Sequence, residues 1–276
     1  MRRLLGFLSG LCLSLSALAA PPQPLRVGIL PTLSAKVLLT SYQPLRSYLE
    51  RELQRPVELY TSPDFKRFHQ DTLAGDFDLL LSAPHLARLA QLEAGLLPVV
   101  TYTVINRAIL VTAKKQPLTQ IDQLRGRSLA LFDPLALVVL QAQNWLEDQG
   151  LKAGRDYRSI TSPSQTSVVH SVQIGESVMG VIAPSAMRLL PPEVREQIQV
   201  YAELPPVPSL IWLVHPRQAS QTDRIKAALL RFPDSPEGEQ FSASTIYKGM
   251  RPVSAEELRS LDRAAREVGR LLQAQP

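Results

Sequence analysis

Hydroxyl, amide and imidazole side chains gather where the apolar runs of this chain break off. Thr32 and Ser34 follow Leu25–Leu30, and Tyr60, Thr61 and Ser62 close the run Val57–Tyr60. Ser82 and His85 follow Leu79–Leu81. Ser164, Gln165 and Thr166 stand in a polar loop after Tyr157–Ile160, and Ser185 follows Val178–Ile182. Such groups donate and accept hydrogen bonds reversibly. Combined with free backbone N–H groups at helix starts, they can hold a small polar ligand. Each also has a plainer use as a helix cap, a turn residue or a half-buried side chain. Asp133 is open to both readings, capping a helix or facing a cleft. Tyr102 and Asn106 either face the same cleft or sit at a hinge.

Other chemistry finds no support. The four histidines, His69, His85, His170 and His215, show no metal-ligand spacing and no acidic or cysteine cluster beside them. Neither Gly-x-Ser-x-Gly nor His-Glu-x-x-His occurs. No acid/base pair stands out, so the chain is expected to be no enzyme and to need no cofactor or metal. Lys and Arg are scattered, without a dense basic run or interleaved aromatics, which argues against nucleic-acid binding.

The turns must be positioned by the elements around them. Apolar positions at helical spacing cover 35–54, and further helices are expected over Phe65–Leu73 and Leu86–Leu92, the last closed by Gly95. Short apolar runs between them read as buried parallel strands. Residues 99–113 read as extended chain. A second strand–helix series starts after Pro117, with a strand at Ser128–Phe132, a helix over 135–149 and another ending at Gly175. Ser209–Val214 is a strong strand, preceded by Pro205, Pro206 and Pro208, and helices follow at about 220–231, 236–243 and 255–273. Repeated strand–helix alternation predicts an α/β fold with two lobes, each a mostly parallel sheet flanked by helices, joined by two crossover strands. The first lobe is expected from 24–105 plus 210–276, the second from 108–205.

The N-terminus reads as an export signal. Arg2 and Arg3 precede an apolar run, Leu4–Leu15, too short to span a bilayer, and Ala17-Leu18-Ala19 offers a peptidase site. Residues 1–19 are therefore expected to be removed after Ala19, leaving a periplasmic chain that does not span the membrane. Cys12, the only cysteine, would leave with them, so the mature chain can form no disulfide. Loss of Arg2 and Arg3 lowers the formal charge from +5 to +3. The remainder of the 276 residues suffices for one large or two medium domains.

An ordered set of motifs completes the reading. It comprises Arg26-Val27-Gly28-Ile29-Leu30-Pro31, Tyr42-Gln43-Pro44-Leu45 with Tyr48-Leu49, and Arg55-Pro56-Val57-Glu58-Leu59. Gly75-Asp76-Phe77-Asp78-Leu79, Asp122-Gln123-Leu124-Arg125-Gly126-Arg127, Val172-Gln173-Ile174-Gly175-Glu176, Pro236-Glu237-Gly238 and Pro252-Val253 follow. In this order they resemble the periplasmic substrate-binding proteins of phosphonate, phosphite and phosphate ABC transporters, a branch of the type II periplasmic binding proteins. The resemblance implies a clamshell that closes on a phosphonate- or phosphate-like anion and delivers it to an ABC permease. A membrane sensor, a histidine kinase or cyclase, is the alternative partner. Two departures strike the second-lobe part of the site that the resemblance implies. The turn equivalent to the family's hydroxyl-rich one is Asp133-Pro134-Leu135-Ala136-Leu137-Val138, without a hydroxyl. Ser164-Gln165 stands where the family tends to carry a Ser-His pair.

Overall fold

A computed structural model describes residues 23–274, so the export signal and Cys12 lie outside the described residues. The chain opens with β1 (Leu25–Ile29), α1 (Ala35–Ser41), α2 (Gln43–Leu53), β2 (Val57–Tyr60), α3 (Phe65–Ala74), β3 (Leu79–Ser82), α4 (Pro84–Ala94) and β4 (Leu97–Tyr102). It crosses to β5 (Ile109–Ala113), β6 (Ser128–Leu131), α5 (Leu137–Asp148), β7 (Arg158–Thr161), α6 (Gln165–Ile174), β8 (Met179–Ile182), α7 (Pro184–Leu189), α8 (Pro192–Arg195) and β9 (Ile198–Glu203). It returns through β10 (Ile211–Val214), α9 (Thr222–Arg231), α10 (Pro236–Ser244), β11 (Met250–Pro252), α11 (Ala255–Ser260) and α12 (Asp262–Ala274).

These strands form two sheets, ordered β11-β4-β10-β3-β1-β2 and β7-β6-β8-β5-β9. The result is a two-lobed α/β fold. Parallel pairing, which strand–helix alternation predicts, holds for β2-β1-β3 and for β7-β6-β8. Every other pair is antiparallel, because β5, β9, β10 and β4 enter or leave their lobes at the crossovers rather than through a strand–helix repeat. Central strands β3 and β10 are buried throughout, as their Leu, Ile, Trp and Val content, broken only by Ser82 at the end of β3, leads one to expect. The sequence reading lacks β9 and β11, an exposed edge strand and a three-residue strand whose alternation is too weak to register. It also lacks the short α7 and α8, and it merges α11 with α12, which break at Leu261.

Local signals set where the helices around the cleft begin. Asp64 caps α3 by accepting from Arg67 N–H at 2.7 Å, and Ser164 caps α6 by accepting from Ser167 N–H at 3.2 Å. Gly75 ends α3 in the left-handed region, at φ +78°. Two backbone passages link the sheets, and they bond to one another. Asn106 N–H donates to Val207 O at 3.0 Å, and Val207 N–H returns to Asn106 O at 2.8 Å. Gln141 of α5 clamps both passages: its Oε1 accepts from Ala108 N–H at 3.0 Å and its Nε2 donates to Pro205 O at 2.6 Å. Asn106 thus lies in the paired passages between the sheets, whereas Tyr102 stacks on Tyr247, ring centroids 4.3 Å apart, inside the first lobe.

Gly28 marks the tightest packing beneath the cleft. A Cβ there would lie 2.6 Å from Phe77 Cγ, and Phe77 is itself stacked on Phe68 at 5.1 Å. Gly28→Ala is expected to cost about 1–3 kcal/mol by overpacking the centre of β1. Urea unfolding checks this, and an unchanged midpoint would show that the Phe77 ring gives way.

Candidate ligand cleft between the lobes

Four strand-to-helix turns converge where the lobes face each other. The first lobe contributes Pro31, Thr32 and Leu33 after β1, then Pro63, Asp64 and Lys66 after β2. Phe132, Asp133, Pro134 and Leu135 after β6, and Thr161–Ser164 around the end of β7, come from the second. They enclose a cavity of about 570 Å³. Its position, outside the carboxyl ends of parallel strands, is where open α/β sheets take ligands. The lining mixes hydroxyls, one ammonium and two carboxylates with an apolar wall of Leu33, Phe132, Leu135 and prolines.

Of the residues singled out from the sequence, Thr32 and Ser164 line this cavity. Ser185 lines an adjoining recess with Thr32, Leu33 and Arg188. The others are placed elsewhere. Ser34 is exposed at the start of α1 and makes no side-chain cap. Tyr60 is 40% exposed, and its hydroxyl bonds the Glu58 carboxylate, because alternation along β2 turns both side chains to one side. Thr61 Oγ1 is buried without a hydrogen-bond partner. Ser82 is buried within β3, opposite Ile211 of β10. Gln165 is buried and accepts from Ala183 N–H at 2.6 Å, so it joins α6 to the end of β8. Thr166 is exposed on α6.

His85 is fully buried, and its Nε2 donates to Leu135 O at 2.7 Å, across the gap between the lobes. The carbonyl can only accept, which places the ring proton on Nε2. Burial lowers the His85 pKa to about 4, against the pull of that carbonyl, so the ring is neutral near pH 7.

Asp133 does not cap α5, whose cap position is Ala136. Its carboxylate faces the cavity instead. Oδ1 accepts from Leu135 N–H at 2.8 Å, and Oδ2 accepts from Phe65 N–H at 3.3 Å. Phe65 N–H is the first of α3, one of the amides that no carbonyl of the helix can satisfy. Burial pushes the Asp133 carboxyl up to about 6, with nearby Asp64 adding to the rise and the two amides opposing it. Asp64 and Lys66 are cavity residues that the sequence reading did not select. One signal was available: a lysine in the first turn of a helix runs against the helix dipole.

A model of the family "ABC transporter, phosphonate, periplasmic substrate-binding protein" matches residues 27–258. This chain belongs to that family. Three solved structures share the fold at low identity. A binding protein component of an ABC phosphonate transporter from Pseudomonas aeruginosa superposes with a TM-score of 0.79 at 14% identity, covering 91% of this chain and 89% of its own. PhnD1 from Prochlorococcus marinus, solved with methylphosphonate, gives 0.78 at 13% identity, over 89% and 98%. XAC2383 from Xanthomonas citri, solved with ATP, gives 0.74 at 18% identity, over 92% and 99%. The family is one of periplasmic substrate-binding proteins. Among the described residues, no helix is long and apolar enough to cross a membrane, and no group of three or more His, Cys, Asp or Glu could hold a metal.

The Asp133 environment has a signed consequence for stability. The folded chain holds this proton up to about pH 6, whereas an unfolded carboxyl releases it near 3.8. The folded state therefore binds more protons over that interval, and the Asp133 contribution to stability falls as pH rises through it. His85 runs the other way, losing stability as pH falls from about 6.5 towards 4, but it is common to wild type and variant. Asp133→Asn is thus expected to gain on wild type between pH 4 and 6 by on the order of 2–3 kcal/mol, with no further change above pH 7. Thermal melts of both proteins across this range supply the measurement. A difference that does not vary with pH would contradict the burial of this carboxylate.

Proposed function

We propose that this protein is a non-catalytic solute carrier that closes its two lobes on a small molecule and presents it to an ABC permease. One observation carries the reading: the cavity of about 570 Å³ enclosed by strand-end turns of both lobes, with a hydrogen-bonded hinge beside it. A ligand held by Thr32 and Lys66 on one lobe and by Thr161, Ser162 and Ser164 on the other would be bound best when the lobes are shut. Closure then reports occupancy, since a ligand shifts a conformational equilibrium only through its different affinity for the two states. The apolar wall suits a solute with a polar head and an apolar body. The absence of any nucleophile–base pair among these lining residues favours binding without turnover. The family is defined on transporter components, which favours a permease over a receptor as partner.

The reading is tested by native mass spectrometry of protein purified from its own host, followed by thermal melts with the molecule found. A genuine ligand should stabilise by RT ln(1 + [L]/Kd), about 2.7 kcal/mol at a hundredfold excess over Kd. Thr32→Val and Ser164→Ala are each expected to weaken it by roughly five- to tenfold, the worth of one hydrogen bond. If no solute co-purifies and none from a panel of phosphonates, sulfonates and small carboxylic acids shifts the melt, the carrier reading fails.

A further inference from the structure

We propose that Asp133 is a built-in anion, which takes the place of a ligand oxyanion at the start of α3, shuts the lobes without ligand and turns compact oxyanions away. The proposal rests on reading the cavity as the solute site and names what that site refuses.

The carboxylate belongs to the second lobe, yet one of its oxygens lies on the first. Oδ1 is held at home by Leu135 N–H, while Oδ2 reaches Phe65 N–H at 3.3 Å. Two further donors of this helix start have partners within the first lobe. Arg67 N–H bonds Asp64 Oδ1 at 2.7 Å, and Phe68 N–H bonds Asp64 O at 3.0 Å. A helix start offers its N–H groups and partial positive charge to anions. Here two carboxylates of the same molecule, Asp64 and Asp133, take them.

Three further contacts also bridge the lobes. The His85 Nε2–H bond to Leu135 O, at 2.7 Å, lies in the same turn of the second lobe. Phe65 meets Phe132 edge-on, with ring centroids 6.3 Å apart. On the far side Arg188 Nη2 donates to Ala243 O at 3.3 Å. Each joins a residue of one lobe directly to a residue of the other. The turn that makes most of these contacts, Asp133-Pro134-Leu135-Ala136, has one polar side chain, and that side chain is charged. An incoming dianion would meet the Asp133 and Asp64 carboxylates together, with Lys66 the only cationic side chain among the described residues lining the cavity. It would also have to win Phe65 N–H from a group already tethered beside it, which binds at no cost in translational freedom.

The test uses the protein unfolded and refolded to strip carried-over solute. Small-angle scattering reads closure, and calorimetry with inorganic phosphate and with methylphosphonate reads binding. Wild type is expected to scatter as a compact particle, unchanged by either anion, with no Kd tighter than about 1 mM. Asp133→Ser and Asp133→Ala, checked for folding by their melts, are expected to expand without ligand, and the Ser variant to gain at least about tenfold in affinity for one of the anions. A refolded wild type that is open, and that closes on phosphate or methylphosphonate, overturns the proposal while leaving the carrier reading intact. Folded variants that stay as compact as wild type and gain no anion binding also overturn it. A compact wild type that no solute stabilises, beside a Ser variant that opens, sinks the carrier reading and leaves the role of Asp133 standing. Should both variants fail to fold, the wild-type scattering and calorimetry decide alone.

Discussion

The paired hydrogen bonds between Asn106 and Val207 are the constraint on which the rest of this structure depends. They tie the two crossing passages into one ribbon, and Gln141 pins that ribbon to α5. Each lobe has its own sheet and its own buried strands. In the proposed closure, motion would concentrate at a few residues near the ends of elements, and the ribbon would supply them. The four turns of the cavity would then travel as two pairs, and a group that bridges the pairs would act on both lobes.

That leverage explains why a few contacts across the gap matter. A single hydrogen bond contributes about 1 kcal/mol net, which is small against a folding free energy but large against a hinge equilibrium of a few kcal/mol. His85 and Asp133 both supply such bonds, and their environments push them in opposite directions. Burial keeps His85 neutral, although its bond to the Leu135 carbonyl favours the charged ring. Burial raises the proton affinity of Asp133, while two backbone amides favour its charged form. Its charge is therefore held at some cost, which donors from both lobes offset only in part.

The fold was largely legible in the sequence because its signals are local. Apolar runs such as Leu79–Leu81 and Ile211–Val214 have no exposed face, and the helices between them carry their own caps, Asp64 and Ser164 among them. The candidate site was legible only in part. Thr32 and Ser164 lie at the cavity because strand-end turns face it as a class. Gln165, one residue on, is buried against Ala183, and Tyr60 turns outwards to Glu58. Residue type identified a group able to bind in each case. The direction it takes depends on the element it starts or ends, and one step along a helix or strand swings the side chain away.

Alone, the sequence determined the alternation of strand and helix, the two-lobed plan, several helix starts and the family, because each follows from hydrophobic period, capping chemistry and motif order. Only the tertiary structure decided what Asp133, His85 and Lys66 face. Phe65 and Asp133 are 68 positions apart, and His85 and Leu135 are 50 apart. No local pattern relates residues so distant. Their partnership exists because two separately folded sheets bring their strand ends together, and the charge, burial and hydrogen bonds of each group follow from that meeting.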